Sequence, residues 1–406
     1  MKVWIIAHFV LFPGEPGINR FHYLASLLSD LGHEVTLFTS KFSHKEKKNR
    51  SLSEIKNKVN YKIELIDEPK YLNNLSLKRV IAHKKFSQNL SKVLKKVDDF
   101  PSVILLAFPS ISCAITVSNF AVKNRIPYIV DVQDWWPDAF EIALKNVAMR
   151  RVFKFLIKPI KKYLIKVFSD ASAIVAVSES YLENALSLSK NASNQLKEVI
   201  PLGVDLKKFD LISSKYSKND NKFKLVYVGQ VGQNYDLETV IKAIPILRKK
   251  IPNLFVDIVG DGDKLDKLKE LSFRAACDDI INFTGFIPYE KMVKYLIEAD
   301  VALNTIKQEW IFLPNKVFDY CAAGLPIVNS IKADFGFYVN KYKIGINYTA
   351  ENIHEFVLAV EELWADPIKR KEFGENSRKF VENFGDREKN YRKLVGILEK
   401  AAKKVN

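Results

Sequence analysis

Short apolar runs alternate with segments of helical periodicity along nearly the whole chain, and the alternation happens twice. The first series is VWIIAHF, EVTLFTS, YKIELI, VILLAF, PYIVDV and AIVAVS; the second is KLVYVG, LFVDIVG, IINFTG, ADVALNT and LPIVNS. Runs that are apolar at nearly every position suit strands covered on both faces, and strands alternating with helices give parallel sheets. Two doubly wound, Rossmann-like α/β domains are therefore expected. A length of 406 residues with 48% hydrophobic content agrees, being too much for one ordinary core. The polar stretch LISSKYSKNDNK breaks the alternation and reads as a linker over 211–222, between a domain of residues 1–210 and another of 223–385. If the two face each other across a cleft, both sets of strand-to-helix loops lie at its mouth, where such sheets bind ligands.

The formal charge of +16 sits mostly in the first half, where residues 1–210 hold 32 Lys or Arg against 20 Asp or Glu. A surface of that sign suits a membrane, a nucleic acid or a phosphorylated substrate. No nucleic-acid motif accompanies it, and the apolar runs are spent on buried sheets, so no nucleic-acid partner is expected. Cys113, Cys277 and Cys321 are odd in number and scattered, which argues against disulfides or a metal site and for a cytoplasmic chain. The opening MKVWIIAHFVLF lacks a cleavage pattern and reads as a first strand. The uncharged span Pro101–Val122 is broken by Pro109, serines and Asn119, so it reads as a strand and a small-residue helix, with no transmembrane segment.

The segment LPNKVFDYCAAGLPIV, Leu313 to Val328, carries the sharpest functional signal. Pro314 suits a first helical turn, and Gly324 and Pro326 stop the helix. Lys316 and Asp319 are three apart and share a face. A diphosphate at the helix start and a ribose beside Asp319 would fit; an exposed ion pair is the plainer alternative. Gly229 and Gly232 in YVGQVGQNYDLETV lie between a strand and a helix that Asp236 can cap, without the Lys-Ser/Thr ending of a P-loop. Gly260 and Gly262 in VGDGDKL lack a third glycine and read as a tight turn. Near the start, Gly14 and Gly17 in FPGEPGINR would let backbone approach a ligand, with Arg20 in the next helical turn. In DVQDWWPD, Asp134 lies at a strand end and so near the cleft, where it could take up a proton; a helix cap before Pro137 is the equal alternative. His8, after the first strand, is a lesser candidate for the same neighbourhood.

Arg150 to Phe168 places Arg150, Arg151, Lys154, Lys158, Lys161, Lys162 and Lys166 on one helical arc, opposite Val152, Phe153, Leu156, Ile157, Ile160 and Leu164. The expectation is that the apolar arc packs on the sheet while the basic arc of Arg150–Lys166 faces an anionic membrane. The C-terminal run from Asp366 is helical and charged, with a break at Phe384-Gly385-Asp386.

Taken together and in order, these pieces resemble family 4 of the retaining glycosyltransferases, which have the GT-B fold. The pieces are PGEPGINR with LGHEVTLFTS, DVQDWWPD, FSDASAIVAVSESY, VIPLGVD, YVGQVGQNYDLETVIKAI, IVGDGDKLDKL, FTGFIPYEKMVKYLIEADVALN and the Leu313 segment. The nearest likeness is to bacterial sugar transferases of cell-surface polysaccharides. The resemblance implies a first domain that binds the acceptor, a second that binds a nucleotide-sugar, and a C-terminal helix, 386–406, returning to the first domain. Asp319 stands where the family has the second Glu of a Glu-x7-Glu motif that holds the ribose. The first Glu is replaced by Ile311, with Glu309 out of register. The family's Arg and Lys after the domain's first strand are replaced, with Gln230 at the Arg place and Asn234 or Tyr235 near the Lys place. The implied donor set is thus Gly14, Gly17, Arg20, Gly229, Gln230, Asn315, Lys316 and Asp319, with Lys316 leading in neutralising the diphosphate.

What this implies is a cytoplasmic enzyme at the inner face of the plasma membrane. It would move a hexose or N-acetylhexosamine from a UDP-sugar, or alternatively a GDP-sugar, to a lipid-linked saccharide, with retention and with no metal or other cofactor. Domain closure would exclude water. An epimerase or hydrolase on the same fold is the second reading, and a basic nucleic-acid-binding protein the third.

Overall fold

The computed structural model describes residues 1–13, 15, 20–73, 76–137, 146–218, 220–307 and 313–403. The chain divides into two compact units, Met1–Leu202 with Tyr391–Asn406, and Gly203–Asn390.

In the first unit, the described residues form a parallel sheet of β1 (Lys2–Ile6), β2 (Glu34–Ser40), β5 (Lys62–Ile66), β6 (Val103–Phe108), β7 (Tyr128–Val132), β8 (Ala173–Ala176) and β9 (Leu196–Val199). Their order is β5-β2-β1-β6-β7-β8-β9, and a short antiparallel pair, β3 (Phe42–Ser43) and β4 (Lys48–Asn49), stands apart. Alternate residues of β1 serve opposite cores, as the two-residue period of a strand requires. Val3 and Ile5 pack under the helix Arg20–Asp30 and the C-terminal helix, through Leu24, Leu28, Leu394 and Leu398. Trp4 and Ile6 pack under the helices Leu77–Leu94, Ile111–Lys123 and Val147–Ser169, through Phe86, Val117 and Phe168.

The second unit has a parallel sheet of β10 (Phe223–Val228), β11 (Leu254–Val259), β12 (Ile281–Gly285), β13 (Val301–Asn304), β14 (Ile327–Asn329) and β15 (Gly345–Asn347), ordered β12-β11-β10-β13-β14-β15. The strand order reverses between β1 and β6 in one sheet and between β10 and β13 in the other. Such reversals open a crevice at the C-terminal strand ends, because the connecting chains leave in opposite directions.

Two expectations need correction. The linker over 211–222 is not a linker throughout: the unit boundary falls at Leu202/Gly203, and Leu206–Ser213 is a helix of the second unit. Its buried Leu206, Phe209 and Ile212 pack with Met292, Val293 and Leu296, a period that the flanking polar residues obscure. The C-terminal helix starts at Arg387 in the second unit, and its residues from Tyr391 on belong to the first.

The other correction concerns Val147–Ser169. Ile157 and Leu164 are buried, but Val152 and Leu156 are not; with Phe155 they are 60%, 64% and 70% exposed. The amino-terminal half of this helix thus exposes apolar side chains among basic ones. Pro101–Val122 is β6 and a helix, and among the described residues no helix is long and apolar enough to cross a membrane.

Candidate functional site

In the second unit the candidate residues gather at the reversal between β10 and β13. Tyr320 fixes the segment there: its hydroxyl accepts from the Val228 N–H (2.8 Å) and lies 3.2 Å from the Leu303 carbonyl, tying the helix Lys316–Ala322 to both strands. The helix is shorter than expected. Pro314 stands before it, with its carbonyl accepting from Val317, and Asn315 makes no side-chain cap. Two turns of helix add little dipole, so attraction for an anion falls mainly to Lys316.

The Lys316 amine is buried, 3.9 Å from the centre of the Tyr227 ring and 5.0 Å from that of Tyr235. It has no hydrogen-bond partner among the described residues. Burial pushes its pKa well below the ordinary lysine value. The exposed Lys316–Asp319 ion pair is thereby excluded as a description of this site. Asp319 instead accepts from the Tyr289 hydroxyl (2.8 Å) through one oxygen, and among the described residues no donor meets the other. Burial raises its pKa to about 6, against the opposing Tyr289 hydrogen bond and the field of Arg387.

Gly229 follows β10, and the amine of Lys316 lies beneath it. The Gly229 N–H donates to Val259, and at Gly260, with φ +145°, an added Cβ would stand 1.8 Å from the Gly229 carbonyl oxygen. The glycines of VGDGDKL therefore serve backbone packing, as a tight turn demands. Gln230 has an exposed side chain, and its carbonyl accepts from the Tyr227 hydroxyl (2.6 Å). Asp236 is buried and makes no helix cap; it accepts from the Thr239 hydroxyl and the Glu351 N–H. Gly14, Gly17, Glu309 and Ile311 lie outside the described residues.

In the first unit Arg20 has a structural task. Its guanidinium is 3% exposed and makes two bonds to Asp131 (2.8 and 3.1 Å) and one to the Ile200 carbonyl (3.0 Å). This fork ties the first helix to β7 and the end of β9. Burial is the largest influence and opposes its charge, but Asp131 and Tyr391 together outweigh it and raise the pKa.

His8 is 2% exposed and stacked between Phe9 and Phe86, with ring centres 4.4 and 3.9 Å away. Both ring nitrogens are engaged, Nδ1 with the Ser110 hydroxyl (2.8 Å) and Nε2 with Glu68 (3.0 Å). Ser110 follows β6 and His8 follows β1, so this bond closes the reversal in the first sheet. His8 thus helps to organise that end of the sheet. Asp134 accepts from the Trp135 N–H (2.8 Å), the Trp136 indole (2.9 Å) and the Tyr181 hydroxyl (3.3 Å). It caps no described helix; the helix from Val147 is capped by Asn146.

Sequence reasoning missed the company His8 keeps. His83 meets it edge-on at 4.6 Å, His44 bonds to the Tyr71 hydroxyl (2.6 Å), and Arg79 lies over Phe9 and Trp136. Burial first, then the positive field of Lys47, Arg79 and His8, holds His44 at about 4; burial with His8, Arg79 and His44 holds His83 at about 3. The available signal was that half of the chain's six histidines sit here, two of them just after strands. Among the described residues no group of three or more His, Cys, Asp or Glu is placed to hold a metal.

Comparison with known proteins agrees with this division. Residues 19–208 match the model of Glycosyltransferase Family 4 and residues 208–380 that of Glycosyl transferases group 1. A GDP-mannose-dependent alpha-(1-6)-phosphatidylinositol monomannoside mannosyltransferase of Mycobacterium tuberculosis is 21% identical over 234 residues, 55% of this chain and 60% of the relative. The chain thus matches about three fifths of that protein's length. Sucrose-phosphate synthase from Thermosynechococcus elongatus has the same fold, with a TM-score of 0.70 at 15% identity over 98% of both chains. So does Anabaena HepE in complex with UDP, with a TM-score of 0.69 at 12% identity over 98% of this chain and all of the other.

Proposed function

Because the chain is built of a Glycosyltransferase Family 4 domain followed by a Glycosyl transferases group 1 domain, we propose that it is a glycosyltransferase whose second unit holds a nucleoside diphosphate sugar. The observation that carries this reading is the buried Lys316 amine, without a hydrogen-bond partner among the described residues, one helical turn from the Asp319 carboxylate. An amine in that state is poorly satisfied alone and well satisfied beside a diphosphate, which would favour its ammonium form. The free oxygen of Asp319 would accept from a ribose hydroxyl while Tyr289 fixes the other.

Transfer breaks the bond between the sugar's anomeric carbon and the diphosphate, and forms one to an acceptor oxygen that gives up its proton. Lys316 would stabilise the charge that develops on the leaving diphosphate. The acceptor belongs to the first unit in this reading, and retention of anomeric configuration is the expected outcome. HepE was solved with UDP, which supports a uridine donor ahead of a guanosine one. The mannosyltransferase relative is named for a sugar borne on phosphatidylinositol. That supports a lipid-linked saccharide as acceptor; work at the inner face of the plasma membrane, reached through the exposed half of Val147–Ser169, is part of the same proposal.

The test is a thermal-shift panel of nucleoside diphosphates and their sugars, repeated with Asp319→Ala. One nucleoside diphosphate should stabilise the wild type by several degrees, and the variant should lose at least tenfold in affinity for it. If no nucleotide stabilises the wild type, the donor site is wrong; equal stabilisation of the variant removes Asp319 from it. Release of free sugar without any acceptor at the same rate as with one would favour a hydrolase.

A further inference from the structure

A cavity of about 460 Å³ lies in the first unit beside β1, within the range of about 300–1,000 Å³ usual for small-molecule sites. Phe9, Val10 and Phe42 give it apolar walls, and two polar side chains, His44 and Gln133, also line it. The state of His44 follows from a chain of three groups. A guanidinium can only donate, so the hydrogen bond between Arg79 and Tyr71 runs from Arg79 to the phenol oxygen. Burial pushes the Tyr71 hydroxyl up to about 12, so it keeps its own proton at neutral pH. Among the described residues the acceptor bonded to that hydroxyl is Nδ1 of His44, 2.6 Å away. His44 is neutral there, being held at about 4 by burial and then by Lys47, Arg79 and His8. A neutral imidazole that accepts at Nδ1 carries its proton at Nε2. His44 is thus locked as a donor, and among the described residues no group meets its Nε2–H.

Gln133 is fixed in the opposite sense. Its amide nitrogen lies 3.5 Å from the Asp131 carboxylate, which is paired with Arg20 and presents only acceptors, so the amide oxygen is turned from it. Among the described residues that oxygen accepts no bond. One cavity is therefore bordered by an uncharged donor and an uncharged acceptor, both unpaired. An anion would suit only the first and a cation only the second. A hydroxyl donates and accepts, so a ligand rich in hydroxyls satisfies both.

We propose that this cavity holds a sugar ring of the acceptor, with the His44 Nε2–H donating to one hydroxyl oxygen and the Gln133 carbonyl accepting from a neighbouring hydroxyl. The proposal rests on the reading of the first unit as the acceptor-binding one. His44 binds the sugar and takes no proton from it, because its one lone pair is occupied by Tyr71. The apolar walls meet the C–H faces of the ring. Arg79 and Tyr71 are positioning residues, which set the tautomer of His44.

The experiment joins two measurements on the full-length protein. In nitrogen NMR of isotopically labelled histidine, the signals lost from the six imidazoles in His44→Phe identify His44. They should show the proton on Nε2 in the wild type and a larger share of the other tautomer in Tyr71→Phe; a proton on Nδ1, or a charged ring at neutral pH, overturns the locked donor. The methyl glycosides of glucose, galactose, mannose and N-acetylglucosamine are then titrated into the wild type, His44→Phe, His44→Gln and Gln133→Met. At least one should bind the wild type and weaken about tenfold in His44→Phe and in Gln133→Met, each of which leaves a hydroxyl unpaired. His44→Gln, whose amide nitrogen stands in for Nε2, should recover part of the loss; equal loss in both His44 variants would make the residue structural and overturn the proposal. A glycoside that binds all four proteins equally also overturns it, yet leaves an acceptor site elsewhere in the chain. Binding of no glycoside overturns it as well. A nucleoside diphosphate thermal shift on the same samples keeps the donor reading separate, since its persistence shows a folded protein and an intact donor site in each of these cases.

Discussion

The Lys316 amine sits 3.9 Å from the centre of the Tyr227 ring and has no hydrogen-bond partner among the described residues, although Asp319 is one turn away on the same short helix. A ring face offers a cation some attraction, but less than the water it replaces. Without a ligand, this lysine therefore opposes folding. Lys316→Met keeps the volume and removes the amine, so the melting temperature of the free protein should rise by a few degrees. The same change removes a charge-assisted bond worth about 1.5–3 kcal/mol, so nucleoside diphosphate affinity should fall about 10- to 100-fold. Calorimetry and nucleotide titration on one preparation read both. A variant less stable than the wild type would show that the amine is satisfied.

Asp319 gives the donor site a pH dependence. Its pKa is about 6 in the folded chain against an ordinary value of 3.8. A carboxyl raised on folding contributes stability below its unfolded value and loses it as pH rises through the folded one. The wild type should thus lose about 1–3 kcal/mol from this residue between pH 4 and pH 7.5, and Asp319→Asn should not. Ribose binding runs the other way, since the ionised carboxylate is the better acceptor. Nucleotide affinity should fall below pH 6 in the wild type and stay flat in Asp319→Asn. Parallel pH profiles would remove Asp319 as their source.

Arg20 and Asp131 separate architecture from binding. Arg20→Met would leave the wholly buried Asp131 carboxylate without its cation, a loss of about 3–5 kcal/mol. The first unit should melt well below its wild-type temperature, while nucleotide binding by the second unit persists under native conditions. Loss of nucleotide affinity with unchanged melting would return Arg20 to the donor set.

The contrast between these residues shows what a sequence can and cannot tell. Strand alternation was legible because a strand buried on both faces must be apolar throughout, as VILLAF in β6 is. Lys316 and Asp319 were legible as neighbours because helical spacing is fixed. The burial of Lys316 was not, since it depends on Tyr227 and Tyr235 arriving from β10 and its following loop. Arg20 looked like a ligand residue because it begins a helix after a glycine-rich loop; its partner Asp131 is 111 positions away. The helix Leu206–Ser213 was hidden because only three of its residues are buried, too few to mark a period amid polar neighbours. Long-range pairing decides each of these cases, and local pattern does not contain it.

The exposed half of Val147–Ser169 makes the last prediction. Phe155 and Leu156 stand in water at 70% and 64% exposure between Lys154 and Lys158, an arrangement that leaves apolar surface uncovered unless something covers it. Among partners, an anionic bilayer matches both components: the lysines meet headgroups and the apolar pair enters the acyl boundary. The two contributions respond differently to salt. Lys154→Gln/Lys158→Gln should lose about 2 kcal/mol of affinity for vesicles containing one third phosphatidylglycerol at low salt, and much less at 0.5 M salt where the Debye length is short. Phe155→Ser/Leu156→Ser should weaken binding by at least tenfold at both salt concentrations, because burial of apolar area is not screened. Vesicle sedimentation measures each. Equal binding of all three proteins would show that this helix does not meet the membrane.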